Sequence, residues 1–146
     1  MADRYFVDTN VLVYTRDASE HQKQVRAKQW MEYLWYTHSG RFSYQVLQEY
    51  YVVVTEKLEP GLKHAQARLD IRLLLTWQPV PVDSRILENA WFLQDHHMLS
   101  WWDALVVSAA QFSECSYILT EDLQEGKSYG KLVVTNPFHT EPPSQS

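Results

Sequence analysis

The sequence predicts an α/β fold in which a parallel sheet is covered by helices. Short apolar runs alternate along the chain with longer segments whose apolar residues recur at helical spacing, which is the pattern of strands joined by crossover helices. The length of 146 residues is that of one domain, and a hydrophobic fraction of 45% with 14% aromatic residues excludes a disordered chain. We therefore expect one domain with a single core.

The first half of the chain predicts two strands and three helices. Ala27, Met31 and Leu34 recur on one helical face, Gly40 is interpreted as the end of that helix, and Glu59-Pro60-Gly61 breaks the next one. In order, the elements are a strand at 5–7 followed by a turn, a helix over about 19–36, a very short strand at 41–43, and helices over about 45–57 and 62–75.

The second half predicts three strands and two helices. Pro81 favours an edge position for the first of these strands, and Asp83 or Ser84 caps the helix after it. In order, the elements are a strand at 80–82, a helix to about 95, a helix opening at Ser100, a strand at 117–119, a polar loop at 120–130 and a strand at 132–134. The helix after Ser100 is predicted to bury Trp102, Leu105, Val106, Ala109 and Ala110.

The domain is predicted over 1–138, and the Pro/Ser-rich tail at 139–146 is predicted to be disordered.

Charge and composition exclude several classes of protein. No apolar run is long enough for a membrane span, and the N-terminus lacks the pattern of a signal peptide, so we expect a cytoplasmic protein. The lone Cys115 cannot form an internal disulfide and is expected to be a small buried hydrophobe. The net charge of −5 argues weakly against a nucleic-acid partner, but residues 1–76 carry a net +1 and residues 77–146 a net −6.

Four acids follow or flank the predicted strands and helix starts. Asp8 follows the first strand directly, and a turn or helix-cap aspartate explains it as well as a ligand does. Asp103 comes three residues after Ser100, so a capping box is an equal explanation there.

The other two acids are less sharply defined by the pattern. Asp122 follows the strand at 117–119, and either it or the adjacent Glu121 could face a site. Glu49 lies opposite the apolar face of its predicted helix and would ordinarily be a solvated residue. Val46, Val52 and Val53 make the helix apolar on several sides, however, so the alternative is that its far face is also covered.

Crowded carboxylates repel one another unless a cation neutralises them or one of them takes up a proton. Oxygen ligands suit Mg²⁺ or Mn²⁺ rather than Zn²⁺. His96 and His97 are adjacent and do not form a zinc-binding spacing, and the chain lacks the glycine-rich phosphate-binding motifs. An aspartyl phosphatase would have an acid two residues after Asp8, where Asn10 stands. If the acids do lie together, they favour a Mg²⁺ or Mn²⁺ site serving phosphate chemistry, while the turn and capping explanations stay open.

The ordered set of segments resembles the PIN domain, the nuclease fold of VapC-type toxins in type II toxin–antitoxin pairs. The matching segments are Phe6–Leu12, Ser43–Glu49, Leu99–Leu105 and Leu119–Leu123, and together they span about Arg4 to Phe138. The resemblance implies a three-layer α/β/α sandwich around a central parallel sheet of four to five strands, with the acids at its C-terminal edge.

The resemblance also implies an activity and partners. It implies Mg²⁺- or Mn²⁺-dependent endonucleolytic cleavage of RNA. It also implies two partners, a cognate antitoxin and a second copy of the chain in a homodimer. Candidate residues for the dimer interface are Trp30, Tyr33 and Tyr36, and the alternative is that they pack under a neighbouring helix. Residue by residue, it implies Asp8, Glu49, Asp103 and Asp122 as catalytic metal ligands, with support from Thr9, Asn10, Thr120 and Glu121. The alternative is a non-catalytic RNA-binding or protein-interaction module on the same fold, and the four retained acids weigh against it. A nuclease acting on DNA would share the same site.

Overall fold

The computed structural model describes residues 3–144 and contains one five-stranded sheet. The strands are β1 (Tyr5–Val7), β2 (Gly40–Arg41), β3 (Tyr117–Leu119), β4 (Ser128–Tyr129) and β5 (Leu132–Thr135), in the spatial order β2-β1-β3-β5-β4. The first four in this order are parallel, and only β4 pairs antiparallel with β5. The sheet prediction is therefore confirmed.

Helices cover both faces of the sheet. Successive side chains of a strand point to opposite faces, and all three residues of β1 are buried, as expected for the middle layer of a three-layer α/β/α sandwich. The α-helices are α1 (Thr9–Tyr14), α2 (His21–Thr37), α3 (Tyr44–Val52), α4 (His64–Leu74), α5 (Ser84–His97) and α6 (Trp101–Phe112). A π-helical turn, Val53–Lys57, follows α3, and a 3₁₀ turn, Leu75–Trp77, follows α4.

Side chains placed at the helix starts fix where the helices begin. Asp8, Ser43, Asp83 and Ser100 precede α1, α3, α5 and α6, and each accepts a hydrogen bond from a backbone amide of the first turn. Such caps satisfy amides that have no partner within the helix. Three of the four, Asp8, Ser43 and Ser100, belong to the segments that the sequence singled out.

Several details of the sequence prediction are wrong. The strand predicted at 80–82 is reduced to a single bridge between Val80 and Ser43, because Pro81 has no amide to continue a ladder. β4 lies inside the predicted polar loop, and the turn after β1 is the start of α1. Trp102, predicted to be buried, is 62% exposed, because it lies in the first turn of α6 before that helix enters the core.

The end of α2 also differs from the prediction. His38, in the left-handed conformation at φ 56°, ends the helix, and Gly40 belongs to β2. A Cβ atom at Gly40 would overlap the ring of Trp77, so close packing explains this glycine.

The aromatic cluster predicted as a candidate interface divides into buried and exposed residues. Trp30 is buried and packs against Tyr5 and Tyr33, whereas Tyr36 is 75% exposed. The Trp30 indole Nε1 donates to the carbonyls of Pro137 and Thr140, which ties the start of the C-terminal segment to α2.

Disorder at 139–146 stays a prediction, and its last two residues lie outside the described range. Cys115 is buried, as expected. Between residues 3 and 144, no helix has the length and apolar character needed to cross a membrane.

Candidate active site

Two parallel strands end side by side at the carboxyl edge of the sheet. Val7 of β1 pairs in register with Leu119 of β3, so the residues that follow them, Asp8 and Thr120, are neighbours. The Asp8 amide extends the ladder by donating to the Leu119 carbonyl at 3.1 Å. Open α/β sheets bind ligands beyond the carboxyl ends of their strands, and this is where the sheet places Asp8.

Asp8 is a buried carboxylate, with 8% of its surface exposed. Its Oδ1 accepts a hydrogen bond from the Thr9 amide and its Oδ2 accepts one from the Thr120 hydroxyl, both at 2.8 Å. Burial, together with the smaller effect of the charges of Asp122 and Glu49, nevertheless raises the pKa of Asp8 to about 6. Asp8 is thus both a helix cap and a carboxylate that a cation would stabilise in its ionised form.

Glu49 reaches the same edge from α3, which packs against α1. Its Oε2 accepts from the Thr9 hydroxyl at 2.8 Å, and its Oε1 accepts from the Gln45 amide nitrogen at 2.9 Å. Glu49 is only partly exposed, because the face of α3 opposite its buried stripe lies against α1 rather than in open solvent. The apolar residues on several sides of α3 suggest that this face is covered, but the helical pattern alone could not show that α1 covers it.

Asp122 and Glu121 point to different surroundings. Asn10 donates its side-chain amide to Asp122 Oδ2 at 2.8 Å, and the Asp122 amide donates to the Thr120 hydroxyl at 3.1 Å. Glu121 instead pairs with Lys23 Nζ at 2.8 Å and accepts from the Tyr14 hydroxyl at 2.8 Å. Of the two adjacent acids, Asp122 lines the groove and Glu121 anchors the loop that carries it.

Asp103 lies at the start of α6. The Ser100 hydroxyl accepts from the Asp103 amide at 3.2 Å, which is one half of the capping box that the sequence suggests; the reciprocal bond is not formed in the described part of the chain. Burial raises the pKa of Asp103, hydrogen bonding to Ser100 lowers it in part, and the charge of Asp122 raises it again. Asp103 is half-buried and lines the same groove as the other acids.

One groove of about 430 Å³ is lined by all four acids. The charges of these acids affect one another. The charges of Asp122 and Glu49 raise the pKa of Asp8, and the charge of Asp122 raises the pKa of Asp103. We call the four residues the row of acids, in the order Glu49, Asp8, Asp122 and Asp103. Asp17, at the end of the turn after α1, adds a fifth carboxylate to the lining. Sequence reasoning missed it because α1 was not predicted.

The donor set of this groove fits a hard divalent cation. Within residues 3–144, the acidic, histidine and cysteine side chains do not form a compact cluster of three ligands. Mg²⁺ is commonly held by one or two carboxylates while keeping several waters, and the row of acids offers such pairs. Asn10 Oδ1 is buried and lacks a hydrogen-bond partner in the described chain, so the groove wall also holds an unused oxygen. The residues present therefore suit Mg²⁺ or Mn²⁺.

Comparison with protein families now identifies the fold. The family described as PIN domain matches residues 5–124, a range that begins with β1 and includes all four acids. The chain belongs to the PIN-domain family. The resemblance found in the sequence is thereby confirmed, whereas the roles of the individual acids stay predictions.

Solved structures share the fold of this PIN domain at low sequence identity. The VapC20 toxin of Mycobacterium tuberculosis, described as cleaving the sarcin–ricin loop, is 22% identical with a TM-score of 0.61, over 81% of this chain and 91% of VapC20. VapBC2 of Rickettsia felis, bound to a promoter DNA fragment, is 17% identical with a TM-score of 0.60, over 90% and 97%. FitAB bound to a DNA fragment is 19% identical with a TM-score of 0.63, over 94% and 98%. A search of curated proteins finds no match.

Proposed function

We propose that this PIN domain is an endoribonuclease that uses Mg²⁺ or Mn²⁺ and acts as the toxin of a toxin–antitoxin pair in the cytoplasm. The observation that carries the proposal is the groove in which Asp8, Glu49, Asp103 and Asp122 lie together at the carboxyl edge of the sheet. Phosphodiester hydrolysis needs negative charge to be neutralised at the phosphate and a water to be activated, and this groove supplies ligands for a cation that does both.

The side chains of the groove would have three roles: metal ligation, orientation of the attacking water and positioning of the acids. Asp8 and Asp103 would be the primary ligands, while Glu49 and Asp122 would complete the site or orient the attacking water. Thr9 and Thr120 keep Glu49 and Asp8 in place through their hydroxyls, and Asn10 does so for Asp122. When bound, the cation supplies Lewis-acid polarisation of the phosphate and activation of water. Because water is the nucleophile, the mechanism does not need a nucleophilic side chain.

Cleavage of RNA by purified protein tests the proposal. We expect cleavage with Mg²⁺ or Mn²⁺ and none with EDTA, and Asp8→Asn should lower the rate by roughly 100-fold or more, since several kcal/mol of charge stabilisation is lost. Asp95→Asn, which makes the same chemical change on the exposed face of α5, is the matched control and should cleave normally. Equal cleavage by the Asp8→Asn and wild-type proteins would refute the assignment, and cleavage of DNA alone would place the substrate in the other nucleic acid.

The partners follow from the same proposal. Structures similar to this chain include a toxin–antitoxin complex of Klebsiella pneumoniae and VapBC2 of Rickettsia felis, which supports a cognate antitoxin. A homodimeric toxin is proposed on the family resemblance alone. Co-purification with the product of an adjacent gene, together with light scattering of the free protein, checks both. A monomer that forms no complex with such a product would contradict this part of the proposal.

A further inference from the structure

A second groove adjoins the row of acids and shares two residues with it. Glu49 and Trp102 line both grooves, and the second, of about 410 Å³, is completed mainly by Tyr44, Pro81 and Val82. It therefore begins where the acidic groove ends and is continuous with the candidate active site. Any chain lying across the acids has this surface next to it.

The second groove presents apolar surface to solvent. Trp102 is 62% exposed and Tyr44 is 44% exposed, although α6 is buried from Ala104 to Ala110. In residues 3–144, Trp102 has no aromatic ring stacked on it, unlike its neighbour Trp101, which stacks on Trp91. Burial in the core does not account for this indole, which stands one residue before Asp103.

The charge of the two grooves indicates what holds a substrate there. The described lining consists of carboxylates, amides, hydroxyls and apolar side chains, so the phosphates of a nucleic acid meet acids rather than arginine or lysine. Proteins that bind single strands combine backbone contacts with aromatic rings on which bases stack. Within these two grooves the cation would serve the scissile phosphate, and the exposed aromatic rings offer a second attraction, to the bases.

We infer that Trp102, assisted by Tyr44 in the same groove, stacks an unpaired base of the RNA next to the scissile phosphate. The inference rests on the proposed function and makes Trp102 a positioning residue: it holds the strand so that the phosphate lies over the acids. A base has to be unstacked from its neighbours to reach the groove, so the enzyme would select unpaired positions over duplex.

A base-deletion cycle tests this role. The substrate is a short single-stranded RNA that contains a bond cleaved by the wild-type protein. In each version of this RNA a single abasic ribonucleotide replaces one of the two nucleotides on either side of that bond. At one position the missing base should lower kcat/KM of the wild-type protein roughly 5- to 100-fold, the effect of losing one base–aromatic stack. Trp102→Ala should show the same loss on intact RNA and no further loss at that position.

Two variants serve as controls. Trp102→Phe keeps a stacking face and should retain most of the activity and the abasic profile. Phe92→Ala removes an exposed aromatic side chain of α5 that lines neither groove and should behave as wild type. Thermal midpoints should be alike for all the proteins, because both side chains are largely exposed.

The outcomes separate the inference from the function on which it rests. Unchanged cleavage by Trp102→Ala, or an additional loss at every abasic position in that variant, overturns the stacking role while the nuclease stands. Weaker antitoxin binding by Trp102→Ala with normal cleavage also overturns it, since the groove would then hold a protein segment. A wild-type protein that cleaves no RNA overturns both.

Discussion

At the scale of single residues, the surroundings of Asp8 both stabilise and destabilise its charged form. It caps α1 and accepts two hydrogen bonds, yet desolvation and the nearby acids raise its pKa to about 6. Without a cation, its charged form is therefore unfavourable in the folded protein. A divalent ion at this edge would lower the pKa of Asp8 again, so folding and cation binding are linked through one carboxylate.

The first prediction concerns pH. In the metal-free native state Asp8 binds its proton more tightly than in the unfolded chain, where its pKa is 3.8. The native state thus binds more protons between pH 4 and 6, so its stability should fall as the pH rises through that window. Asp8→Asn removes this contribution and should be more stable than wild type at pH 7 by about 1–3 kcal/mol. Urea unfolding in EDTA at pH 4, 5, 6 and 7 measures the difference.

The control for this prediction is again Asp95→Asn, which should follow the wild-type protein at every pH because it lies on an exposed helix face. A constant stability difference between wild type and Asp8→Asn across the four pH values would contradict the linkage.

The second prediction separates the two roles of the segment from Ser100 to Asp103. Ser100→Ala removes the hydroxyl that accepts from the Asp103 amide and should cost about 1 kcal/mol of unfolding free energy, the usual value of a helix cap. Asp103→Asn keeps that amide and should change stability little, but should abolish cation-dependent cleavage. Thermal unfolding and cleavage assays on both variants check this. A large loss of stability in Asp103→Asn with activity retained would favour the capping role alone.

At the scale of elements, side chains of α1 and α2 fix the loop after β3 through Glu121. Glu121 pairs with Lys23 of α2 and with Tyr14 of α1, and this leaves the adjacent Asp122 facing the groove. The position of one candidate ligand thus depends on an ion pair that lies outside the groove.

The third prediction follows from that ion pair. Lys23→Met keeps the length and apolar stem of the side chain but leaves Glu121 without its cation, so the loop should lose order and cleavage should fall about 3- to 30-fold, as expected for a misplaced ligand. Arg26→Met breaks another ion pair of α2, the longer and more exposed one with Glu141 at 3.6 Å, away from the groove and should leave the cleavage rate unchanged. Equal rates for the two variants would show that the pair does not position Asp122.

The fourth prediction concerns the close approach of β2 to Trp77. Gly40→Ala places a methyl group against the indole ring and should destabilise the fold by about 1–3 kcal/mol through overpacking. Trp77→Leu makes room, so the double variant should recover part of that loss, which chemical denaturation of the three proteins can measure. Additive losses would mean that Gly40 is needed for another reason.

The elements differ in how far the sequence could predict them. β1 and β3 were placed correctly because their apolar residues form uninterrupted runs between polar ones. β4 has two residues and depends on pairing with β5, which no local pattern shows. Trp102 was wrongly assigned to the core because helical periodicity gives a face but not the point at which the helix leaves solvent.

The site could be predicted in part. Asp8 directly follows a strand that the sequence predicts, and Asp103 lies in the first turn of a helix that it predicts. Glu49 becomes part of the groove only through α1 packing on α3, which is a tertiary contact. The choice between Glu121 and Asp122 likewise depends on Lys23, which lies almost a hundred residues earlier.

At the scale of the whole molecule, the fold gathers negative charge at the edge where it would bind a polyanion. The sheet order places the ends of β1 and β3 side by side, and α3 and α6 add Glu49 and Asp103 to that edge. A cation that reduces the charge of this surface would favour the binding of nucleic acid, so substrate binding and cation binding should be coupled. The central claim is therefore that these acids form one cation site.

Calorimetric titration of the metal-free protein with Mn²⁺ tests that claim most directly. Wild-type protein and Asp95→Asn should release the same heat with the same affinity, and Asp8→Asn should bind at least about tenfold more weakly, since a primary charged ligand is lost. Mn²⁺ binding of equal affinity in wild type and Asp8→Asn, or no binding heat in the wild-type protein, would contradict the account.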